Sequence, residues 1–514
     1  MNMQDTGQSR CRGLFAAAAA FSFILIASLI HPAESYGQNT TGGKEIIRVD
    51  EDEQEALTEK NTQGREKQRT GASDKQKEKD IPGTKAEGES EDTVEEPKGA
   101  QFKFKGQVKN LYQFHRTNRF MGESPLTTST HNLSADLTRL RLSPEFRYRE
   151  NVIARIDLDN EFIASNYGRS KDFTLYWRLH EYNDFLDLAW EPYRGREAYY
   201  RIKAHRAYVK VSKDWFTGTV GRQQIRFGSG KLWNPLDILN PISPTFVEGG
   251  DEQKGTDAVK LDFYPDETTE ITAVIDFKKS NNKIERFNMR DCNYVGRVKT
   301  SIEDTDLAIL GGYVSRRGVA GFDFAAILFG GMLRGSVMAS QANDPYVTKD
   351  DPWYPARFMM PGRAGSGSVF FQANAGYEYS FKAGVYLLVE YFFNQRAINY
   401  CKDLRMAAFV YQVNSTMDER TYLQLSNTLL TVNQHYLSAA VGYDFHPLVR
   451  GDLFVIGDIQ GRGIFWSPAI RVNAYENLDF IVGMMGAVTF NNKATDFAEF
   501  RKNYLFYASG AYVF

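Results

Sequence analysis

NYLFYASGAYVF, residues Asn503 to Phe514, alternates with period two, so that Tyr504, Phe506, Ala508, Gly510, Tyr512 and Phe514 share one face. A last strand that is apolar and aromatic on one face suits a wall that meets lipid, where it pairs with the first strand and removes the sheet edge. The competing reading is an edge strand of a soluble sandwich. The rest of the chain decides between them.

The period-two pattern begins at Gln101 and recurs in strands near 102-114, 136-148, 152-163, 199-212 and 216-227, continuing to 503-514, about 18 in all. The connections alternate. Tight turns fall around Glu150, Lys213 to Trp215, Pro265 to Thr269, Ser301 to Thr305, Gly330-Gly331, Ser380 to Lys382, His446 to Leu448 and Ala474 to Asn477. Between them lie mostly longer polar loops at 115-135, 164-198, 228-256, 340-367 and 394-432, with short ones at 315-318 and 459-463. A soluble sandwich has no reason to alternate this way, whereas a transmembrane barrel keeps turns on the periplasmic side and loops outside. The expected fold is therefore all-β: an antiparallel outer-membrane barrel over residues 101-514. Within the 394-432 loop, the apolar run RMAAFVYQV (Arg405 to Val413) suits a short helix or a lumenal constriction.

The amino-terminal part is of another kind. Arg10 and Arg12 precede an apolar run from Leu14 to Ile30, and Ser35-Tyr36-Gly37 fits a signal-peptidase site, so residues 1-37 read as an export signal. An uncleaved anchor helix is the alternative. Residues 38-100 are nearly free of aromatics and rich in charge; they cannot bury enough apolar area to fold alone, and read as a solvated periplasmic tether or a segment that folds on a periplasmic partner. Residues 1-100 hold 13 Lys and Arg against 19 Asp and Glu, which leaves 49 against 45 in the remainder. The barrel is the basic part.

Alternation also assigns faces. Arg139, Arg141, Glu145 and Arg147 oppose Leu140, Leu142, Phe146 and Tyr148, and the next strand sets Arg155, Asp157, Asp159 and Glu161 against Ile156, Leu158 and Phe162. An arginine facing lipid near the midplane costs roughly 2 to 4 kcal/mol, so the charged faces line the lumen. Lys260 with Asp262, and Asp276 with Lys278, repeat the pattern. Such a wall is either a loose multi-site path for anions or a lattice of ion pairs across neighbouring strands.

The most specific stretch is HRAYVKV (His205 to Val211), GRQQIRFGSGKLWNPLDILNP (Gly221 to Pro241) and GTDAVKLDFYP (Gly255 to Pro265). It resembles the alginate-export family of outer-membrane barrels and related porin-like proteins. There an R-x-Y strand precedes G-R-Q, F/Y-G, a Trp-containing loop and a D-x-V strand. The resemblance implies an 18-strand barrel with an electropositive lumen passing an acidic polysaccharide or related anion. It makes Arg206, Arg222 and Arg226 lumenal arginines, Lys260 a lumenal base, and Asp257 a partner that orients one of them. WNPLDILNP and the carboxylates Asp157, Asp159 and Glu161 depart from that pattern. A folding role is equally open to this stretch: Gly228 and Gly230 permit a bend, Trp233 anchors a re-entrant loop, and Pro235 and Pro241 stiffen it. The aromatic end is similar to that of outer-membrane barrels, which implies that the assembly machinery reads Phe514.

No H-E-x-x-H, C-x-x-C, C-x-x-C-H or Walker-type loop occurs, so no enzyme, metal, cofactor or nucleic-acid role is expected. Cys292 and Cys401 are both placed outside the cell, bonded to each other or free. The expected function is an outer-membrane porin or exporter for an anionic small molecule or polysaccharide. The rival is a non-conducting scaffold that docks a periplasmic partner through residues 38-100.

Overall fold

A computed structural model of the chain describes residues 99-117, 130-149, 151-168, 185-239, 255-279, 287-315, 317-341, 369-395, 431-490, 495-497 and 503-514, with Ser170, Phe173 and Ala397. The export signal, nearly all of the tether, Cys401 and the 405-413 run lie outside the described residues.

Nineteen strands follow one another among the described residues. They begin with β1 (Ala100–Thr117), β2 (His131–Tyr148), β3 (Val152–Ser165), β4 (Ala189–Arg194), β5 (Ala198–Lys213) and β6 (Phe216–Gln223). Next come β7 (Thr256–Phe263), β8 (Thr269–Asp276), β9 (Asn293–Ile302), β10 (Thr305–Val314), β11 (Arg317–Leu328), β12 (Gly331–Gln341) and β13 (Val369–Ser380). The last six are β14 (Val385–Asn394), β15 (His435–His446), β16 (Val449–Asp458), β17 (Gly463–Tyr475), β18 (Leu478–Thr489) and β19 (Tyr504–Val513).

Neighbours pair antiparallel, and β19 pairs with β1 from Tyr504–Arg116 to Val513–Gln107, closing the ring. The ring has 18 members, because β3 pairs directly with β5 and β4 is an extra piece. β6 pairs with Ala207–Lys213 of β5, and β4 takes the same edge higher up, at Tyr199–Lys203. It patches the wall where β6 has left it.

The barrel is inside-out relative to a soluble protein. Val220, Ile309 and Ile470 are more than half exposed, while Asp159, Glu161 and Asp276 are fully buried. An apolar outer face and a polar inner one match the transmembrane barrel pattern. At the turn end the outer face carries Trp215, Phe216 and Phe263 in ring contact, with Tyr443 against Phe445 and Tyr512 against Phe514. Tyr294, Tyr313 and Phe371 mark the loop end on the same face. No helix among the described residues is long and apolar enough to cross a membrane.

Candidate functional site

The path through the barrel is shaped by the chain that follows β6. Gly221 sits at φ +122°, where a Cβ would run into the Ala207 carbonyl oxygen, so there is no room for a side chain. Gly228, at φ +87°, would bring a Cβ within 2.9 Å of Leu236 Cβ. Both positions need glycine. Between and beyond them, Gln224 to Leu239 folds into the lumen and is fastened to the far wall.

Buried carboxylates do the fastening. Asp323 on β11 accepts from the Ser229 N–H at 2.9 Å and the Ser229 hydroxyl at 2.7 Å. Glu390 on β14 accepts from the backbone N–H of Trp233 at 2.6 Å and of Lys231 at 3.2 Å. The Trp233 ring stacks on Phe392 with centroids 4.6 Å apart, and its Nε1–H donates to Ser438 Oγ at 2.8 Å. Without these acceptors the segment would leave N–H groups unpaired inside the barrel, at about 1 to 3 kcal/mol each. Leu236 and Leu239 then pack against Val274, Val295, Leu310 and Met338, the inward residues of β8, β9, β10 and β12. The re-entrant loop anchored by Trp233 is thus present.

The early arginines are neutralised. Arg139 Nε lies 2.7 Å from Glu161, and Arg141 grips Asp159 through two bonds of 2.6 and 2.9 Å. Arg155 is 3.0 Å from Asp157, and Arg147 pairs with Glu145. Glu161 also receives Arg201 and Lys203. Lys260 is 3.3 Å from Asp262, and Lys278 is 3.1 Å from Asp276. Of the two readings of the wall, the ion-pair lattice describes these strands. Asp157, Asp159 and Glu161 are its counter-ions.

Basic side chains gather along the described part of the in-folded segment. Arg206 donates to the neutral Gln224, Arg226 Nη2 to the Gly230 carbonyl at 3.1 Å, and Arg297 lies 5.9 Å over the Phe227 ring. Lys231 Nζ, 3.8 Å from Glu378, shares that carboxylate with Arg334. The Tyr386 hydroxyl donates to it at 2.7 Å. Among the described residues these five cations share the region with the carboxylates of Glu378, Asp323, Glu390 and the buried Asp237, and Asp323 and Glu390 already bind backbone N–H groups. At the turn end, Lys103 and Lys105 add inward charge with no ion pair among the described residues.

Arg139, Arg141, Arg147, Arg155, Arg206 and Lys260 lie on the lumen face, and Arg226 on the in-folded segment. Arg222 and Asp257 do not line the lumen, which corrects the expectation. They are register partners on the face of Val220 and Val259, opposite Thr219 and Lys260. Asp257 is three residues from Lys260, and an odd separation along a strand reverses the face. Asp257 does orient an arginine: Arg222 binds it at 2.9 and 3.0 Å. Arg222 also donates to the carbonyls of Leu186 and Ala204, and Leu186 N–H donates back to Asp257 at 2.7 Å. This buried pair straps residues 185-188 over the departure point of β6.

Sequence reasoning passed over Lys103, Lys105, Lys231, Arg334 and Glu378. Arg334 alternates with Leu333 and Gly335, and Glu378 with Tyr377 and Tyr379, so the period-two signal was there. At the outer mouth, Asp496 accepts from the Tyr436 hydroxyl and from Val432 N–H at 3.0 Å, beside an aromatic cluster of Phe392, Tyr436, Phe465 and Phe497. Asp496 keeps an exposed edge at the barrel end, while desolvation by the groups packed around its carboxyl pushes that carboxyl up to about 6. Cys292 is a buried free thiol just before β9.

No family model matches the sequence, and no curated protein matches it either, so the alginate-export resemblance gains no support there. Among solved structures, OccK5 (OpdH) of Pseudomonas aeruginosa is 10% identical, over 80% of this chain and 97% of that one, with a TM-score of 0.45. OccAB1 of Acinetobacter baumannii is 10% identical, over 80% and 96%, with a TM-score of 0.48. OccK2 (OpdF) of Pseudomonas aeruginosa, solved in complex with glucuronate, is 8% identical, over 80% and 96%, with a TM-score of 0.43. These likenesses concern the fold alone.

Proposed function

We propose that the chain is an outer-membrane channel that passes anionic solutes past a basic constriction. One observation carries this reading: the segment anchored by Trp233 crosses the lumen with Arg226 and Lys231 on it and Arg206, Arg297 and Arg334 along it. A cluster of this kind binds an anion well enough to admit it, and its several donors let it move on. An acidic polysaccharide, which the alginate-export resemblance names, is the extended member of the class. The reversal potential of the purified chain in a planar bilayer under a salt gradient tests the reading. Anion preference is expected, and cation preference would overturn it.

A second reading has its own support. The apolar socket around Leu236 and Leu239 and the aromatic cluster that holds Trp233 and Phe392 are buried within the barrel, as a closed scaffold would have them. A scaffold that docks a periplasmic partner through residues 38-100 gives no steady unit conductance in the same bilayer.

A further inference from the structure

Glu378 holds an unusual position among the lumenal carboxylates. Asp157, Asp159 and Glu161 belong to the lattice of the early strands, and Asp323 and Glu390 bind backbone. Among the described residues, Glu378 is the carboxylate that forms ion pairs with the basic cluster of the constriction, where it meets Arg334, Lys231 and the Tyr386 hydroxyl. Those three donors come from β12, from the in-folded segment and from β14. Side chains in the trio are partly open: 15% for Glu378, 19% for Arg334 and 29% for Lys231. Arg334 Nε, by contrast, is buried with no hydrogen-bond partner. A guanidinium presents its donors as a fork shaped for carboxylate, and here part of that fork is unused.

We propose that Glu378 is the resident counter-ion of an anion site: it occupies the place where a permeating carboxylate binds, and solutes cross the constriction by exchanging with it. A carboxylate that displaces Glu378 finds the same donors already arranged. Glu378 then repels the solute outward, so binding stays weak and release fast, which a conducting site requires. The inference rests on the anion-channel reading above.

The test is block of the chloride current by gluconate in planar bilayers, using the full chain and the variants Glu378→Gln, Arg334→Gln and Asp306→Asn. Asp306 pairs with Lys299 on the lumen wall at the turn end, away from the in-folded segment, and serves as a charge-matched control. In E378Q the half-blocking gluconate concentration should fall about tenfold, since the site loses its internal competitor. In R334Q it should rise, because a donor is gone while Glu378 stays. Retention of the heat-modifiable band shows that each variant is folded. Equal shifts in E378Q and D306N, no shift in E378Q, or a shift of the same sign in E378Q and R334Q would each overturn the proposal. The wild-type reversal potential reports separately on the anion-channel reading.

Discussion

Trp233 satisfies three demands in one residue: its backbone N–H closes on Glu390, its ring lies on Phe392, and its indole N–H reaches Ser438. Replacing a buried tryptophan with alanine costs about 3 to 5 kcal/mol locally. The closed hydrogen-bonded ring does not depend on it. Trp233→Ala should therefore keep the heat-modifiable band while raising unit conductance, and Trp233→Phe, which keeps the stack and loses only the indole bond, should change it less. Conductance equal to wild type in Trp233→Ala would show that the segment does not limit the path. At the outer mouth the decisive residue is Asp496, which keeps an exposed edge while desolvation around its carboxyl raises it from 3.8 to about 6. Its contribution to holding residues 431-433 against 495-497 is fully present below the unfolded value and is lost as pH rises through the folded one. Hydrogen exchange at Val432 and Asn433 should thus be slower at about pH 5 than at about pH 7.5 after correction for intrinsic rates, and Asp496→Asn should abolish the difference. Protection that is flat with pH in the wild type counts against this latch.

At the scale of elements, β4 and the Arg222–Asp257 pair explain how a strand leaves a barrel without opening its wall. Truncating one partner of a buried pair strands the other charge, at about 3 to 5 kcal/mol. Asp257→Asn and Arg222→Gln should therefore lower the temperature at which the folded band is lost, with anion-to-cation selectivity unchanged; altered selectivity would return the pair to the lumen. What could be read in the sequence follows the same geometry. β2 and β3 were legible because one face is charged and the other apolar. β8 to β10 blur that contrast, since Val274, Val295 and Leu310 face inward as a socket for Leu236 and Leu239. Nothing local announces such a socket. β4 is six residues with Pro192 in the middle, where a strand loses a ladder donor, and a loop was the reasonable expectation. The in-folded segment was legible as glycines around a tryptophan, but not its receiving acceptors, Asp323 and Glu390, more than 90 residues away.

For the whole molecule, alternation gave the closed wall, while the selectivity of that wall depends on which charges cancel. Arg139 and Arg141 looked like a path in one strand and proved to be half of a lattice once β3 lay beside them. Closure itself is complete within the barrel residues. β1 pairs with β2 from Ala100–Tyr148 to Thr117–His131, and Gly106 exchanges two backbone hydrogen bonds of 2.8 Å with Phe514 at the seam. Any side chain on Gly106 would run into the Phe514 ring. The described ring closes among residues 100-513, and the composition of residues 38-98 lacks the apolar surface for strands. β1 starts at the turn end, beside Arg149, whose N–H donates to the Gly99 carbonyl at 3.0 Å. Deleting residues 38-98 should leave a barrel that still shifts on unboiled gels and still conducts with wild-type selectivity. Loss of the folded band would mean that this segment supplies part of the wall, and retention of the band with altered selectivity would mean that it enters the lumen.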